Sequence, residues 1–367
     1  MPDFFEDKQY NEYFEKLNTR ISAPENNQLP KKSMVAKQKK GFYKIIKIRR
    51  RVIALCLILV FLFVVALSVK SCKAKKNNDL TPQNSVAHQN KDDVEKPEKI
   101  VFKSDSKTQP IPESNDAKTA VVVRLKDKKI VADRDAHERI YPASTIKIMT
   151  LLTAAQHITD LNDTFTMSYE ITDPLFVMDA SVAGFLNGEK VTMRDLLYGM
   201  ILPSGADSAM ALAVKISGSE KNFVTLMNDK AQELGLENTH FDNVSGLHSE
   251  GNYSTSYDMA IILYHAMQNS LCREILSTYQ YTTEKTPQNP DGILLSSTLF
   301  SYMYGDESET ATVKGGKTGY VYESGYCIAS FGEANESQNE YIVVTMGNSS
   351  KWPAFYGQID LYKEFAK

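Results

Sequence analysis

The sequence predicts an α/β fold: a five-stranded antiparallel sheet flanked by helices, with a helical insertion between its two strand groups. Three observations carry this. Two β-rich segments open the apolar part of the chain, three close it, and the stretch between repeats apolar residues at three- and four-residue spacing. Strands far apart in sequence must therefore meet in one sheet.

Ala120–Leu125 and Lys129–Asp133 flank the polar turn Lys126–Lys128 and read as an opening hairpin. Helical patterns follow over Ser144–His157, Met193–Leu202, Ala206–Ile216, Phe223–Leu234 and Tyr257–Met267. Thr312–Thr318, Tyr326–Phe331 and Glu340–Met346 are β-rich and separated by Gly, Glu and Asn turns, and Pro353–Phe365 reads as a closing helix.

At 367 residues, 42% hydrophobic and 24% charged, the chain is globular in composition but uneven along its length. Residues 1–51 hold 13 Lys or Arg against 6 Asp or Glu, and the chain after Lys76 holds 25 against 39. Between Arg51 and Lys70, residues 52–69 are apolar on every side, without charge, Pro or Gly. A buried core helix would show a polar stripe, so this run reads as a transmembrane segment. Ten basic residues crowd its upstream side against four just downstream, which sets the N-terminus in the cytoplasm. No small-residue cleavage site follows, so the run reads as an uncleaved signal anchor.

The organisation expected is a cytoplasmic basic tail (1–51), the anchor (52–69), an extracellular flexible linker (70–116) and a folded domain (117–367). The linker is assigned on its Lys, Asn, Gln, Asp, Ser and Pro content, too polar to bury much surface. Four cysteines are too few and scattered for a disulfide framework, and a Cys272–Cys327 bridge is the less favoured reading. Six histidines form no compact ligand pattern, which disfavours a zinc peptidase; no metal or organic cofactor and no nucleic-acid partner is expected.

The sharpest chemical feature is Pro142-Ala143-Ser144-Thr145-Ile146-Lys147 at the start of a helix. Residues three apart on a helix are neighbours, so the Lys147 amine reaches the Ser144 hydroxyl. To accept a proton near neutral pH the amine must be desolvated or lie near another cation, and Lys317 is the natural one. Ser-x-x-Lys alone is weak, since Ser104–Lys107 repeats it within the polar linker. The second element, Lys314-Gly315-Gly316-Lys317-Thr318-Gly319-Tyr320, lies on a predicted strand. There glycines admit a substrate backbone, and Lys317 and Thr318 offer a cation and a hydroxyl to a carboxylate.

Together, and in this order, the two motifs resemble those of the serine penicillin-binding and β-lactamase superfamily, whose third motif is Ser-x-Asn. Within it the chain is most similar to the low-molecular-mass D-Ala-D-Ala carboxypeptidases. The likeness extends through Asp195-Leu196-Leu197-Tyr198-Gly199, Glu233-Leu234-Gly235-Leu236, Thr239-His240-Phe241, Gly246-Leu247 and Tyr253-Ser254-Thr255. It implies the penicillin-binding transpeptidase-like fold, peptidoglycan stem peptides ending in D-Ala-D-Ala as substrates, and β-lactams as inhibitors. It also implies Ser144 as nucleophile, Lys147 as its base, Ser204 as proton relay, and Lys317 and Thr318 as carboxylate ligands. Gly319 and Tyr320 complete the substrate edge, the Ser144 and Tyr320 N–H groups forming the oxyanion hole.

One departure stands out. Where the family reads Ser-Gly-Asn-Asp, this chain has Ser204-Gly205-Ala206-Asp207, and its strict Ser-x-Asn, Ser337–Asn339, falls after Lys317. Activity is expected, reduced or altered in specificity. The rival readings are a β-lactamase and a non-catalytic penicillin-binding sensor or scaffold.

Overall fold

The computed structural model describes residues 99–303 and 309–367. The chain divides into two units after Lys96, and every described residue lies in the second. The basic tail, the apolar run 52–69 and most of the linker lie outside the described residues. Among the described residues no helix is long and apolar enough to cross a membrane.

In chain order, β1 (Gln109–Pro110), β2 (Thr119–Arg124) and β3 (Lys129–Arg134) come first. A 3₁₀ turn, Ala143–Ile146, leads into α1 (Lys147–His157). Then follow β4 (Thr164–Thr166), α2 (Tyr169–Val177), β5 (Lys190–Thr192), α3 (Met193–Ile201), α4 (Ala206–Ser217) and α5 (Glu220–Leu234). Next come α6 (Ser256–Gln268), α7 (Ser270–Leu276), β6 (Gln280–Thr282), β7 (Leu294–Ser296) and α8 (Phe300–Met303). The long strands β8 (Ala311–Val321), β9 (Gly325–Ala334) and β10 (Glu340–Asn348) precede the closing helix α9 (Lys351–Phe365).

The main sheet runs β1-β3-β2-β10-β9-β8. The early hairpin meets the late strands through β2 and β10, antiparallel with Val122 opposite Val343. Both faces are covered. Val121, Val123, Ile342 and Val344 pack in the core that holds the helical insertion, while Ala120, Val122, Tyr341 and Val343 pack with Leu361, Tyr362 and Phe365 of α9. A strand buried on both faces reads as a continuous apolar run, as Ala120–Val123 does.

Two expectations need correction. The sheet has six strands rather than five, because β1 pairs in parallel with β3, Gln109 opposite Ala132. The folded chain also begins well before Ala117: Phe102 and Ile111 are buried, and Lys103 bonds with Lys128 and Ile130. Arg134 contributes to this order: it donates to the carbonyls of Ile111, Pro112, Asn115 and Ala117 at 2.7–3.1 Å, beside the buried Phe102 and Ile111 and the β1–β3 pairing.

Side-chain caps start the helices where the sequence turns helical: Thr192 accepts from Asp195 N at 3.0 Å, Ser219 from Asn222 N at 3.2 Å and Thr255 from Asp258 N at 2.9 Å. Helix α2 escapes the periodicity because it carries Pro174 internally and leaves Tyr169 and Phe176 exposed. Cys272 and Cys327 are both buried and free.

Candidate active site

The predicted helix Ser144–His157 is split by the structure, with Ser144 in the 3₁₀ turn and Lys147 at its junction with α1. In a 3₁₀ turn side chains at i and i+3 eclipse one another, which aligns this pair more directly than an α-turn. The Lys147 amine donates to Ser144 Oγ at 3.0 Å and to the Ser245 carbonyl at 2.5 Å, and Ser144 Oγ lies 3.3 Å from that carbonyl. Lys147 is 1% exposed. Burial lowers its pKa to about 7, against the opposing pull of the Asp207 carboxylate. An amine so placed is half neutral near physiological pH and is fit to take the hydroxyl proton.

Sequence reasoning missed the source of the second acceptor, a main-chain carbonyl in the loop between α5 and α6. Asn243 Oδ1 shapes that loop by accepting from Ser245 N at 3.2 Å and Gly246 N at 2.8 Å. Thr150 Oγ1, one turn along α1 from Lys147, donates to the Val244 carbonyl at 2.9 Å. Gly246 has φ +77°, and a Cβ there would fall 2.2 Å from the Ala143 carbonyl oxygen and 2.8 Å from Ser144 Cα. Only glycine fits both the turn and the close approach to Ser144.

On the opposite side lies β8, an edge strand of the sheet. A Cβ on Gly319 would stand 2.7 Å from Ser144 N, so the strand backbone passes directly against the Ser144 turn. Lys317 is buried and donates to the Thr318 carbonyl at 2.8 Å. Burial, and secondarily the Lys147 charge, hold its pKa well below the ordinary lysine value. Burial is the leading cause for both amines, as expected of a desolvated Lys147, and the two behave as a coupled pair. Thr318 Oγ1 shares a 2.8 Å hydrogen bond with Thr298 Oγ1, and Thr298 N donates to the Leu202 carbonyl, joining the strand to the chain just before Ser204. Tyr320 is half exposed, with its ring 4.4 Å from that of Tyr326.

Ser204 is buried in the left-handed region at φ +67°, ahead of α4. A strained position of this kind persists only where its surroundings enforce it. Here Gly205 N donates to the Gly199 carbonyl, Ala206 N to the Ser181 carbonyl, and Asp207 accepts from the N–H groups of Ala183, Gly184 and Ser208. Burial raises the Asp207 pKa against these donors. The Ser204 side chain has no hydrogen-bond partner among the described residues; its turn is tied to the site through the electrostatic reach of Asp207 to Lys147. Ala206 is buried and brings no amide. Both stray motifs lie elsewhere: Ser104–Lys107 is an exposed turn closed by Asp105 and Thr108, and Ser337–Asn339 sits between β9 and β10.

A mixed sheet flanked by helices, with a Ser-x-x-Lys turn held against a Lys-Thr-Gly edge strand, defines the class of penicillin-binding serine peptidases. Within that class the chain belongs to the D-alanyl-D-alanine carboxypeptidase family, whose model matches residues 104–350. A D-alanyl-D-alanine carboxypeptidase of Bacillus subtilis is 32% identical over 237 residues, 65% of this chain and 59% of that protein. One from Streptomyces is 37% identical over 200 residues, 53% and 68% of the two chains. Of the first relative the chain thus spans under two thirds. Among solved structures, a Streptomyces DD-transpeptidase matches 68% of this chain and 97% of its own at 30% identity with a TM-score of 0.61. A D-alanyl-D-alanine carboxypeptidase of Mycobacterium tuberculosis matches 70% and 93% at 28% identity with a TM-score of 0.59.

Proposed function

We propose that this chain is a serine-type D-Ala-D-Ala carboxypeptidase that removes the terminal D-alanine from peptidoglycan stem peptides through an acyl-enzyme on Ser144. The observation that carries the reading is the buried Lys147 amine, its pKa lowered to about 7, at 3.0 Å from Ser144 Oγ. The neutral amine takes the hydroxyl proton as Oγ attacks the carbonyl between the two D-alanines. The N–H groups of Ser144 and Tyr320 receive the developing oxyanion. Ser204 passes the proton to the leaving amine, D-alanine departs, and water hydrolyses the ester. Thr318 and Lys317 hold the terminal carboxylate, and an arriving anion favours the ammonium form of Lys317 that burial suppresses. A β-lactam enters the same path and acylates Ser144.

The apolar run 52–69 anchors the enzyme to the cell membrane, with residues 1–51 cytoplasmic and the catalytic domain outside. The Lys and Arg asymmetry about the run supports this orientation.

The test is D-alanine release from an acyl-tripeptide ending in D-Ala-D-Ala, by the detergent-solubilised full chain and its Ser144→Ala variant. Release that disappears in the variant supports the reading. Stable acylation by penicillin without any D-alanine release favours the sensor reading instead, which the missing amide at Ala206 motivates.

A further inference from the structure

An aromatic band leads from the edge strand to the surface of α9. Tyr320 packs its ring 4.4 Å from Tyr326, and Tyr326 packs on the small core that α8 and α9 build against β9. From that core the Phe355 ring lies 5.0 Å from Tyr302, and Tyr302 stands at right angles to Trp352 at 5.7 Å. Trp352 and Tyr356, one turn apart on α9, have rings 6.0 Å apart and inclined by 22°.

The outer end of this band is exposed and held in orientation. Trp352, the single tryptophan of the chain, is 50% exposed and Tyr356 is 51% exposed, while Ala354 and Phe355 between them are buried. Lys351 Nζ sits 3.4 Å over the Tyr302 ring, so the ring that braces the indole is itself fixed by a cation. Large aromatic side chains left in water and held in one orientation mark a contact surface. Two exposed, near-parallel rings suit the face of a pyranose, whose C–H bonds meet the negative face of an aromatic ring while its hydroxyl groups stay in water. A lipid surface fits less well. Helix α9 carries Lys351 and Lys363 against Asp360 and Glu364, without the basic excess that an anionic bilayer attracts.

Position supplies the source of the sugar. A stem peptide with its carboxylate at Lys317 and Thr318 and its attacked carbonyl at Ser144 points its sugar-linked end past Tyr320. The residues that remain span on the order of 10 Å, at about 3.3 Å each. Strand β10 ends at Asn348, opposite Tyr326, which itself pairs with Tyr320, so the first turn of α9 stands at this same end of the sheet.

We infer that Trp352 and Tyr356 form a stacking surface for pyranose rings of the glycan strand that bears the stem peptides. The choice of partner rests on the carboxypeptidase reading. The surface holds the enzyme on polymeric substrate and takes no part in the cleavage.

Because the chain has one tryptophan, its emission reports on this surface alone. The detergent-solubilised full chain is titrated with glycan strands stripped of their peptides, and D-alanine release from the acyl-tripeptide is measured on the same preparation. The expected result is a saturable blue shift with weaker quenching by acrylamide. The apparent Kd should rise about tenfold in Tyr356→Ala and stay close to native in Tyr356→Phe, with D-alanine release unchanged in both. Emission that does not respond to glycan, or an undiminished response in Tyr356→Ala, would overturn the inference. Quenching of Trp352 after reconstitution into vesicles of brominated phosphatidylcholine would also overturn it, by placing this surface against the membrane. D-alanine release without an emission response removes the inference alone, and an emission response without release supports the surface while removing the carboxypeptidase reading.

Discussion

Replacing Lys147 with methionine is expected to abolish D-alanine release and, at the same time, to stabilise the fold. The amine ionises near 10.5 when free and at about 7 in place, with burial as the leading cause. At about 1.4 kcal/mol per unit, keeping this group in the interior costs on the order of 5 kcal/mol at or below neutral pH. Two hydrogen bonds, to Ser144 Oγ and the Ser245 carbonyl, offset this at about 1 kcal/mol each. Methionine removes both sides of the account and relieves Lys317 of a neighbouring charge, leaving a net gain of about 2–3 kcal/mol. For a domain of this size that is roughly 4–10 °C in Tm. The sign with pH follows from linkage: the unfolded chain binds a proton between pH 7 and 10.5 that the folded chain does not. Native stability therefore rises across that window, and the advantage of the variant shrinks toward pH 10.5. Thermal melts of both proteins at pH 6, 8 and 10 measure this. A variant that melts below the native chain at pH 6, or a gap that does not narrow with rising pH, would refute the claim that burial tunes this amine.

Gly246→Ala places a Cβ 2.8 Å from Ser144 Cα at a positive-φ position, so penicillin acylation should slow by about a hundredfold or more while the fold loses about 2–4 kcal/mol, read by stopped-flow and denaturant melts. In Arg134→Ala, four carbonyls lose their shared donor, and residues 103–117 should become cleavable by protease under native conditions, with stability down by about 3–5 kcal/mol. Ala206→Asn restores the missing amide and should raise kcat/KM for D-alanine release by about tenfold; an unchanged rate would mean the site already has a substitute. The native pH profile of kcat/KM should rise through pH 7 as Lys147 loses its proton, and a rise centred above pH 9 would contradict the role given to this amine.

What was legible in the sequence was what side-chain patterning controls. The continuous apolar runs Val121–Val123 and Ile342–Val344, buried on both faces of the sheet, gave up the strands, and apolar residues at three- and four-residue spacing gave up the helices of the insertion. Ser144 and Lys147 were legible because their chemistry is local, three residues apart on one turn. What stayed hidden depends on distant partners or on backbone atoms. The order of residues 111–117 draws on Arg134, and no composition rule links a lone arginine to four carbonyls upstream. The second acceptor for Lys147 is a carbonyl of Ser245, 98 residues away, and a carbonyl leaves no trace in residue type; only Gly246 beside it hinted at a close approach. Thr298 became visible only once the fold set it against Thr318.

The central claim is that Ser144 carries the acyl group. Intact-mass measurement of the full chain after incubation with benzylpenicillin, followed by peptide mapping, tests it most directly. One added penicilloyl mass, located on the peptide containing Ser144 and absent from Ser144→Ala, is the expected result. A label on another residue, or one that persists in Ser144→Ala, would contradict the account.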